Sequence, residues 1–414
     1  MKLLIPVSAV AICLLALASG VSSHEPITTS VTFNKEVVRI FQRSCFGCHS
    51  SGSLTGIPLT TYEEARPWAK AIKEEILEKR MPPFQAVIGY GSFHNGYRLT
   101  QREIELIVSW VEGGAPRGEA KDLPNNSVEG QWPLGQPDLI LQPENETRIE
   151  AGEGRETRCF MLPVRQAQSR WLSAIDFRPG NTATVDSAEF TLEKAGTEKC
   201  GSAAGEKLGQ WAPGQTTVKL PAGIGRLLPA NARIALKVRY RKSGEAATDR
   251  SAIGLYFAKE ENVNAVRDVR IAAPVTAVPA GAESQRVKAT WQVREQTEAV
   301  AVRPLPFPLG KSVEVTAWRP DGTAEVLIVV KGYRYDWQPV YYFKNPVTLP
   351  AGTRLEVTAY LDNSDHNRNL AEQKIKLQRF SGPLCEIMLA QSSRKEIAGA
   401  KSPVLISSSA ARKH

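Results

Sequence analysis

The residues Cys45-Phe46-Gly47-Cys48-His49 carry the most specific chemistry in the sequence. Two thiols at that spacing can add across the two vinyl groups of a haem, and the histidine that follows is then held against the iron as an axial ligand. Haem brings redox chemistry that side chains alone do not supply. A lone Cys-x-x-Cys can also bind zinc or act as a thiol redox pair. The histidine directly after the second thiol favours one covalent haem c, on Cys45 and Cys48 with His49 on the iron. The second axial ligand should lie downstream, and Met81 in Arg80-Met81-Pro82-Pro83 is the methionine of that segment. Its prolines end the preceding helix and hold the loop extended. A thioether favours Fe(II) and raises the reduction potential; His94 is the alternative ligand. With both axial positions filled, such an iron carries electrons and binds no substrate.

The elements around this motif read as helical. Val37, Val38, Ile40 and Phe41 form an apolar face just before the cysteines, and Tyr62 to Arg80 places Ala65, Ala69, Ile72, Ile76 and Leu77 at helical spacing. Thr100 and Glu103 form a capping box that opens a helix through Ile104, Ile107, Val108 and Val111; Gly113, Gly114 and Pro116 close it. Residues 24–120 are therefore expected to form a small all-α cytochrome c domain.

Haem c is attached outside the cytoplasm in bacteria, and the N-terminus fits export. Lys2 precedes an apolar run from Leu3 to Ala18, with Val21-x-Ser23 or Ala16-x-Ala18 as the cleavage site of a signal peptide over residues 1–23. An uncleaved anchor is the other reading of that run. About 390 residues remain, enough for two or three domains. The net charge of +9 is dispersed along the chain. It suits acidic redox partners or an anionic membrane surface, and no basic stripe with interleaved aromatics points to nucleic acid. Asn125-Asn-Ser127 and Asn145-Glu-Thr147 match glycosylation acceptors, which in a bacterial exported chain are read as chance.

After a polar linker at 121–137, the pattern becomes β-rich. Alternating runs at Arg233–Tyr240, Ser312–Trp318 and Arg354–Tyr360 are separated by Pro, Gly and Asn turns. They point to two β-sandwich, jelly-roll-like domains, at 138–265 and 266–390. A Ser/Ala/Lys-rich tail follows over 391–414, expected to be disordered.

Several segments carry a resemblance. Leu59-Thr-Thr-Tyr-Glu-Glu-Ala-Arg-Pro-Trp68, Met81-Pro-Pro83, Arg158-Cys-Phe-Met-Leu-Pro163, Phe177-Arg-Pro-Gly180, Trp211-Ala-Pro-Gly214, Gly254-Leu-Tyr-Phe-Ala-Lys259 and Leu361-Asp-Asn-Ser364 span nearly all of the mature chain. Together they resemble bacterial proteins that fuse a haem c domain to a copper type II, ascorbate-dependent monooxygenase-like module. That module is similar to peptidylglycine alpha-hydroxylating monooxygenase, in which two β-sandwich domains each hold one copper. The chain departs from the pattern at the ligands. Asp186-Ser187 stands where the family has an adjacent His-His pair, and Arg239-Tyr240-Arg241 where it has a His-Tyr strand motif. Leu305-Pro-Phe307 replaces two histidines before Leu309-Gly310-Lys311, leaving Met388 as the residual candidate ligand. The chain has five histidines, of which His49 is committed to haem and His24 and His414 lie at the ends of the mature chain. His94 and His366 do not suffice for two sites built on converging imidazoles. Copper is therefore not expected. Asp186 could instead pair with Arg239.

Cys159 and Cys200 fall in segments that match the family and in an oxidising compartment, so a disulfide between them is expected. Closing that loop of about 41 residues would stabilise the chain by roughly 4 kcal/mol. Cys385 is left without an assigned partner. The resulting expectation is an exported, periplasmic, monohaem c-type cytochrome that transfers single electrons. Its copper-free β module would dock redox partners, including a membrane-bound redox complex. A haem-fed copper monooxygenase with non-standard ligands is the alternative.

Overall fold

The computed structural model describes residues 29–391, except 51–52, 54–55, 84–85, 96–98, 125–131, 195, 198, 203–204, 261–262, 306–307, 335–336, 368 and 371–378. The expected signal peptide lies outside these residues, and so does the expected tail apart from Gln391. No helix among the described residues is long and apolar enough to cross a membrane.

The N-terminal helices form where the apolar spacing places them. A π-helical turn at Phe33–Val37 runs into α1 (Val38–Ser44), and α2 (Tyr62–Ala65) and α3 (Ala69–Leu77) flank a short 3-10 turn at Arg66–Trp68. α4 (Gln101–Glu112) starts at a full capping box, with Thr100 Oγ1 accepting from Glu103 N and Glu103 Oε2 from Thr100 N. Phe33, Phe41 and Trp110 meet edge-on or tilted at 6.0–6.3 Å between ring centres and form the centre of this cluster. Tyr62 OH and Trp110 Nε1 donate to the carbonyls of Ala115 and Pro116, both at 3.0 Å, so the polar ends of two buried aromatics hold the chain leaving α4.

Eighteen strands follow in the described residues. The first ten are β1 (Leu139–Leu141), β2 (Thr147–Ile149), β3 (Arg155–Pro163), β4 (Arg170–Arg178), β5 (Val185–Glu193), β6 (Glu206–Trp211), β7 (Ile224–Leu228), β8 (Arg233–Arg241), β9 (Ala247–Asp249) and β10 (Ala252–Phe257). The others are β11 (Asn264–Ala277), β12 (Gln285–Gln292), β13 (Thr297–Pro304), β14 (Gly310–Trp318), β15 (Ala324–Lys331), β16 (Tyr341–Leu349), β17 (Arg354–Leu361) and β18 (Arg379–Gln391). One eight-stranded sheet runs β1-β10-β4-β7-β11-β18-β13-β16. Sheet β3-β8-β5-β6 packs on one half of it through Phe190, Leu236, Tyr240 and Ile253, and sheet β12-β17-β14-β15 on the other through Val315, Leu355, Val357 and Ile387. β2 and β9 form a separate ribbon.

This architecture corrects the expected fold class, a small all-α cytochrome c domain followed by two β-sandwich domains. The described residues are 43% strand and 14% helix, and the helices do not close into an all-α domain of their own. Between α3 and α4 the chain leaves the helices and is stitched to the β strands: Ala86 bridges to Val330 and Phe93 to Phe343. Val87 N donates to Val329 O at 2.7 Å, and His94 N and Lys344 N make 2.8 Å bonds to Tyr342 O and Ser92 O. Ala86 and Phe93 are buried in the apolar core formed by β11–β18. The β strands, in turn, are not two separate sandwiches, because the long sheet is continuous through parallel pairing of β7 with β11, Ile224 to Asn264 and Gly225 to Ala265. Periodicity reports that a strand exists and which face is apolar; it does not report its partner. Residues 86–94 show no period, and Ala86, Val87, Ser92, Phe93 and His94 are held by backbone pairing to another part of the chain.

Candidate functional site

α1 ends at the Cys45-x-x-Cys48-His49 motif, and its last turn hands the cysteines over: Cys45 N bonds to Phe41 O at 2.7 Å, and His49 N to Cys45 O at 2.9 Å. His49 Nδ1 lies 2.9 Å from the carbonyl of Ile57. A carbonyl can only accept, so Nδ1 carries the proton, the ring orientation is fixed, and Nε2 is left with its lone pair. This is the tautomer that an iron ligand requires. Residues Cys45, Phe46, Ile57, Tyr62, Ile72 and Leu99 are partly buried against the helical core, giving the motif an apolar surround.

Neither thiol of the motif is in a disulfide, and both are half-buried. Burial pushes Cys45 up to about 12, with the neighbouring Cys48 adding to it, and burial pushes Cys48 up to about 11. Neutral thiols are poor nucleophiles, which sits badly with a Cys-x-x-Cys thiol redox pair. No group of three or more His, Cys, Asp or Glu among the described residues is placed to hold a metal ion. A haem asks for something different: two sulfurs for its vinyl groups, one imidazole nitrogen, and a thioether. The motif and its fixed His49 tautomer fit that demand.

The motif also packs on the β strands. Cys48 Sγ lies 3.3 Å from Pro213 O, and Gly47 faces Gly214, where a Cβ on Gly47 would lie 3.0 Å from Gly214 Cα. Gly214 has φ +80°, and a Cβ there would come within 2.1 Å of Cys48 Sγ. Backbone conformation and close approach therefore both require glycine at 214. The Trp211-Ala-Pro-Gly214 turn is thus the seat of the Cys-x-x-Cys-His motif.

Met81 follows the turn after α3, where Arg80 N and Met81 N both bond to Glu75 O, at 2.9 and 3.2 Å. Arg80 also pairs with the Glu75 carboxylate at 2.9 Å, which fixes the start of the loop. The Met81–Pro82 peptide is cis. Met81 is half-buried, and Pro82 and Pro83 line the same cavity as Gly47 and Cys48. His94 is exposed and its backbone is held by β16.

That cavity, of about 440 Å³, lies between the Cys-x-x-Cys-His motif and the junction of the two halves of the long sheet. Its lining includes Arg226, Arg303 and Glu386, the buried members of a charge network that sequence reading did not pick out. Arg226 bonds Glu206 at 2.6 Å and Asp268 at 3.0 Å; Glu386 takes Arg303 at 2.8 Å and Arg270 at 2.9 Å. Arg303 also reaches Gln210. Burial works to raise Glu386, but the charge of Arg303 and the hydrogen bond from Arg270 prevail and hold it below the usual carboxylate range. Asp268 is raised by burial despite Arg226. A signal for these residues exists in the sequence: Arg226 interrupts Ile224-Gly-Arg-Leu-Leu228, and Glu386 interrupts Leu384-Cys-Glu-Ile387, at inward positions of buried strands. A charge inside an apolar run has to find a partner there.

In the β strands, Asp186 Oδ2 is bonded by Arg239 Nε and lies 3.4 Å from Arg155 Nε. The expected Asp186–Arg239 pair is present and includes a second guanidinium. Cys159 and Cys200 form a disulfide. Met388 lines the cavity and packs with Ile224, Val266 and Val300 at the junction of the two halves. Cys385 is free and fully buried, and burial raises its thiol. Pro306 and Phe307 of the second expected copper region lie outside the described residues.

No family model matches the chain, and no curated protein matches it. Solved structures similar to it include a protein described as an alpha-L-fucosidase from Bacteroides ovatus, at 8% identity and TM-score 0.17 over 59% of this chain and 39% of that one. A fucolectin from striped bass serum is 7% identical at TM-score 0.18, covering 59% of this chain and 85% of that one. A two-domain protein of unknown function from Bacteroides fragilis is 12% identical at TM-score 0.19, covering 56% and 85%. The chain thus spans well under two thirds of the first of these proteins. Scores this low carry no argument about fold or activity.

Proposed function

We propose that this protein is an exported monohaem c-type cytochrome that transfers single electrons, with its β strands as the platform on which redox partners dock. The observation that carries the reading is His49 Nδ1 held by Ile57 O at 2.9 Å, directly after two thiols spaced for haem vinyl groups. Cys45 and Cys48 would hold one haem c covalently, and His49 Nε2 and Met81 Sδ would be its axial ligands. When bound, the haem supplies a one-electron couple. The chain's own residues orient that couple and seat it. Ile57 fixes the imidazole, Glu75 and Arg80 fix the approach to Met81, and Pro213 and Gly214 receive Cys48. Ile88, 76% exposed, and Tyr90, 42% exposed, stand between Met81 and the strand bridges of Phe93 and offer an apolar contact for a partner. Asp186, which stands where the resembled family has a histidine ligand, is engaged by Arg239 and Arg155.

The test is to express the chain in a host that matures c-type haem and denature the purified protein. Haem that stays on the wild-type chain, is lost from Cys45→Ser/Cys48→Ser, and titrates with a one-electron slope supports the reading. A wild-type chain that binds zinc or forms a Cys45–Cys48 disulfide instead contradicts it.

A further inference from the structure

Asp176 of β4 is a carboxylate buried without a cation. The residue is 2% exposed. Its Oδ1 accepts from Phe177 N at 2.9 Å and from the Thr217 hydroxyl, whereas Oδ2 is buried with no hydrogen-bond partner among the described residues. A charge taken out of water needs donors on both oxygens or a counter-charge, so such a group favours its neutral form. The elements packed around it supply neither. β10 brings Tyr256, whose OH donates to Gly135 O at 2.7 Å, and the chain entering β1 brings Asp138, whose Oδ2 takes Phe257 N at 2.7 Å. Arg178, at the end of β4, lies over the Trp132 ring at 4.8 Å. Arg226 of β7 is taken up by Glu206 and Asp268, and Lys219 is exposed. Burial accordingly raises Asp176 above the usual carboxylate range, against the bonds from Thr217 and Phe177.

Thr217 belongs to segment 212–223, which joins β6 to β7. This segment receives Cys48 at Pro213 and Gly214, and Gln215, Thr217 and Leu220 form part of the cavity wall. β4 ties it down through Asp176 to Thr217 and through Ser173 O to Leu220 N at 2.8 Å. In the sheet Asp176 stands opposite Gly254 of β10, held there by the strand ladder, so the covering segment is the part that can yield. We propose that Asp176 is a proton-operated latch: neutral, it holds segment 212–223 closed over β4 and under Cys48; ionised, it draws water to Oδ2 and the segment lifts, opening the cavity wall. The proton leaves to water and returns from it, so no co-reactant is involved. The closed state binds the proton more tightly than the open one, so closure is favoured in acid and is lost as pH rises through the raised value. The latch is a property of the chain and does not rest on the haem reading.

Hydrogen exchange of peptides spanning 212–223 is followed by mass spectrometry in the full-length protein from about pH 4 to about pH 8, corrected for intrinsic exchange. Wild-type protection there should fall at least about tenfold with rising pH, one pKa unit of linkage being a factor of ten, while β8 peptides stay protected. Asp176→Asn keeps an acceptor for Thr217 but cannot ionise, and should stay protected throughout. Thr217→Val should be unprotected in this segment already at acid pH. Wild-type protection that does not change with pH overturns the proposal, as does a fall that Asp176→Asn retains in full or that β8 shares. Where Asp176→Asn does not fold, Thr217→Val decides. Loss confined to 212–223, with the wild-type pH dependence gone, supports the latch; unchanged protection at acid pH overturns it. Haem content is assayed on the same sample, so failure of the haem reading shows there and not in the exchange.

Discussion

At the scale of single residues, Met81 and Glu386 make opposite kinds of prediction. Met81 contributes a soft ligand to the proposed iron, so Met81→Ala is expected to lower the reduction potential and remove the spectral signature of sulfur ligation while the haem stays covalently attached. Redox titration with visible spectroscopy checks this; an unchanged potential would assign the ligand elsewhere. Glu386 is structural. Its loss strands Arg303, whose side chain is 6% exposed, so Glu386→Ala should cost about 3–5 kcal/mol in urea unfolding. Lys207 gives the molecule a pH dependence whose sign follows from its lowered pKa. Between about 8 and its ordinary value of 10.5, the unfolded chain binds the proton and the folded chain does not, so this group adds stability as pH rises through that window. Lys207→Gln should flatten that part of the stability profile. The Cys-x-x-Cys-His motif was legible in the sequence because its residues are adjacent in the chain. The charge network was not, because Arg226 and Glu386 come together only when β7 and β18 are placed on either side of β11.

At the scale of elements, the disulfide and the capping box are local devices with separable costs. Cys159 and Cys200 tie the edge strand β3 to the turn after β5 across a separation of 41 residues, and replacing both with serine should cost roughly 4 kcal/mol on the chain-entropy account. Thr100→Ala removes the N-cap of α4 and should cost about 1 kcal/mol. Thermal unfolding of the two variants measures both. α4 was legible from Thr100, Glu103 and its apolar stripe, and β8, β14 and β17 from alternating runs bounded by turn residues. The helix read over Tyr62 to Arg80 is instead broken by a 3-10 turn at Arg66–Trp68, where Pro67 lacks an N–H, and it ends at Leu77. β11 occupies the region where a domain division was expected, near residue 265.

At the scale of the whole molecule, the helices and strands depend on one another. The segment from Met81 to Asn95 joins the proposed iron ligand to β15 and β16, and Gly214 receives Cys48. A chain cut after Leu123 should therefore attach haem but hold Met81 poorly, giving a heterogeneous sixth ligand and a lowered potential. A truncated chain with the full-length spectrum and potential would show the helices to be self-sufficient. The central claim is a single covalent haem on Cys45 and Cys48, and the measurement closest to it is the iron and copper content of the purified holoprotein. One iron and no copper per chain is the predicted result. No iron, or one iron accompanied by one or two coppers, would contradict the account.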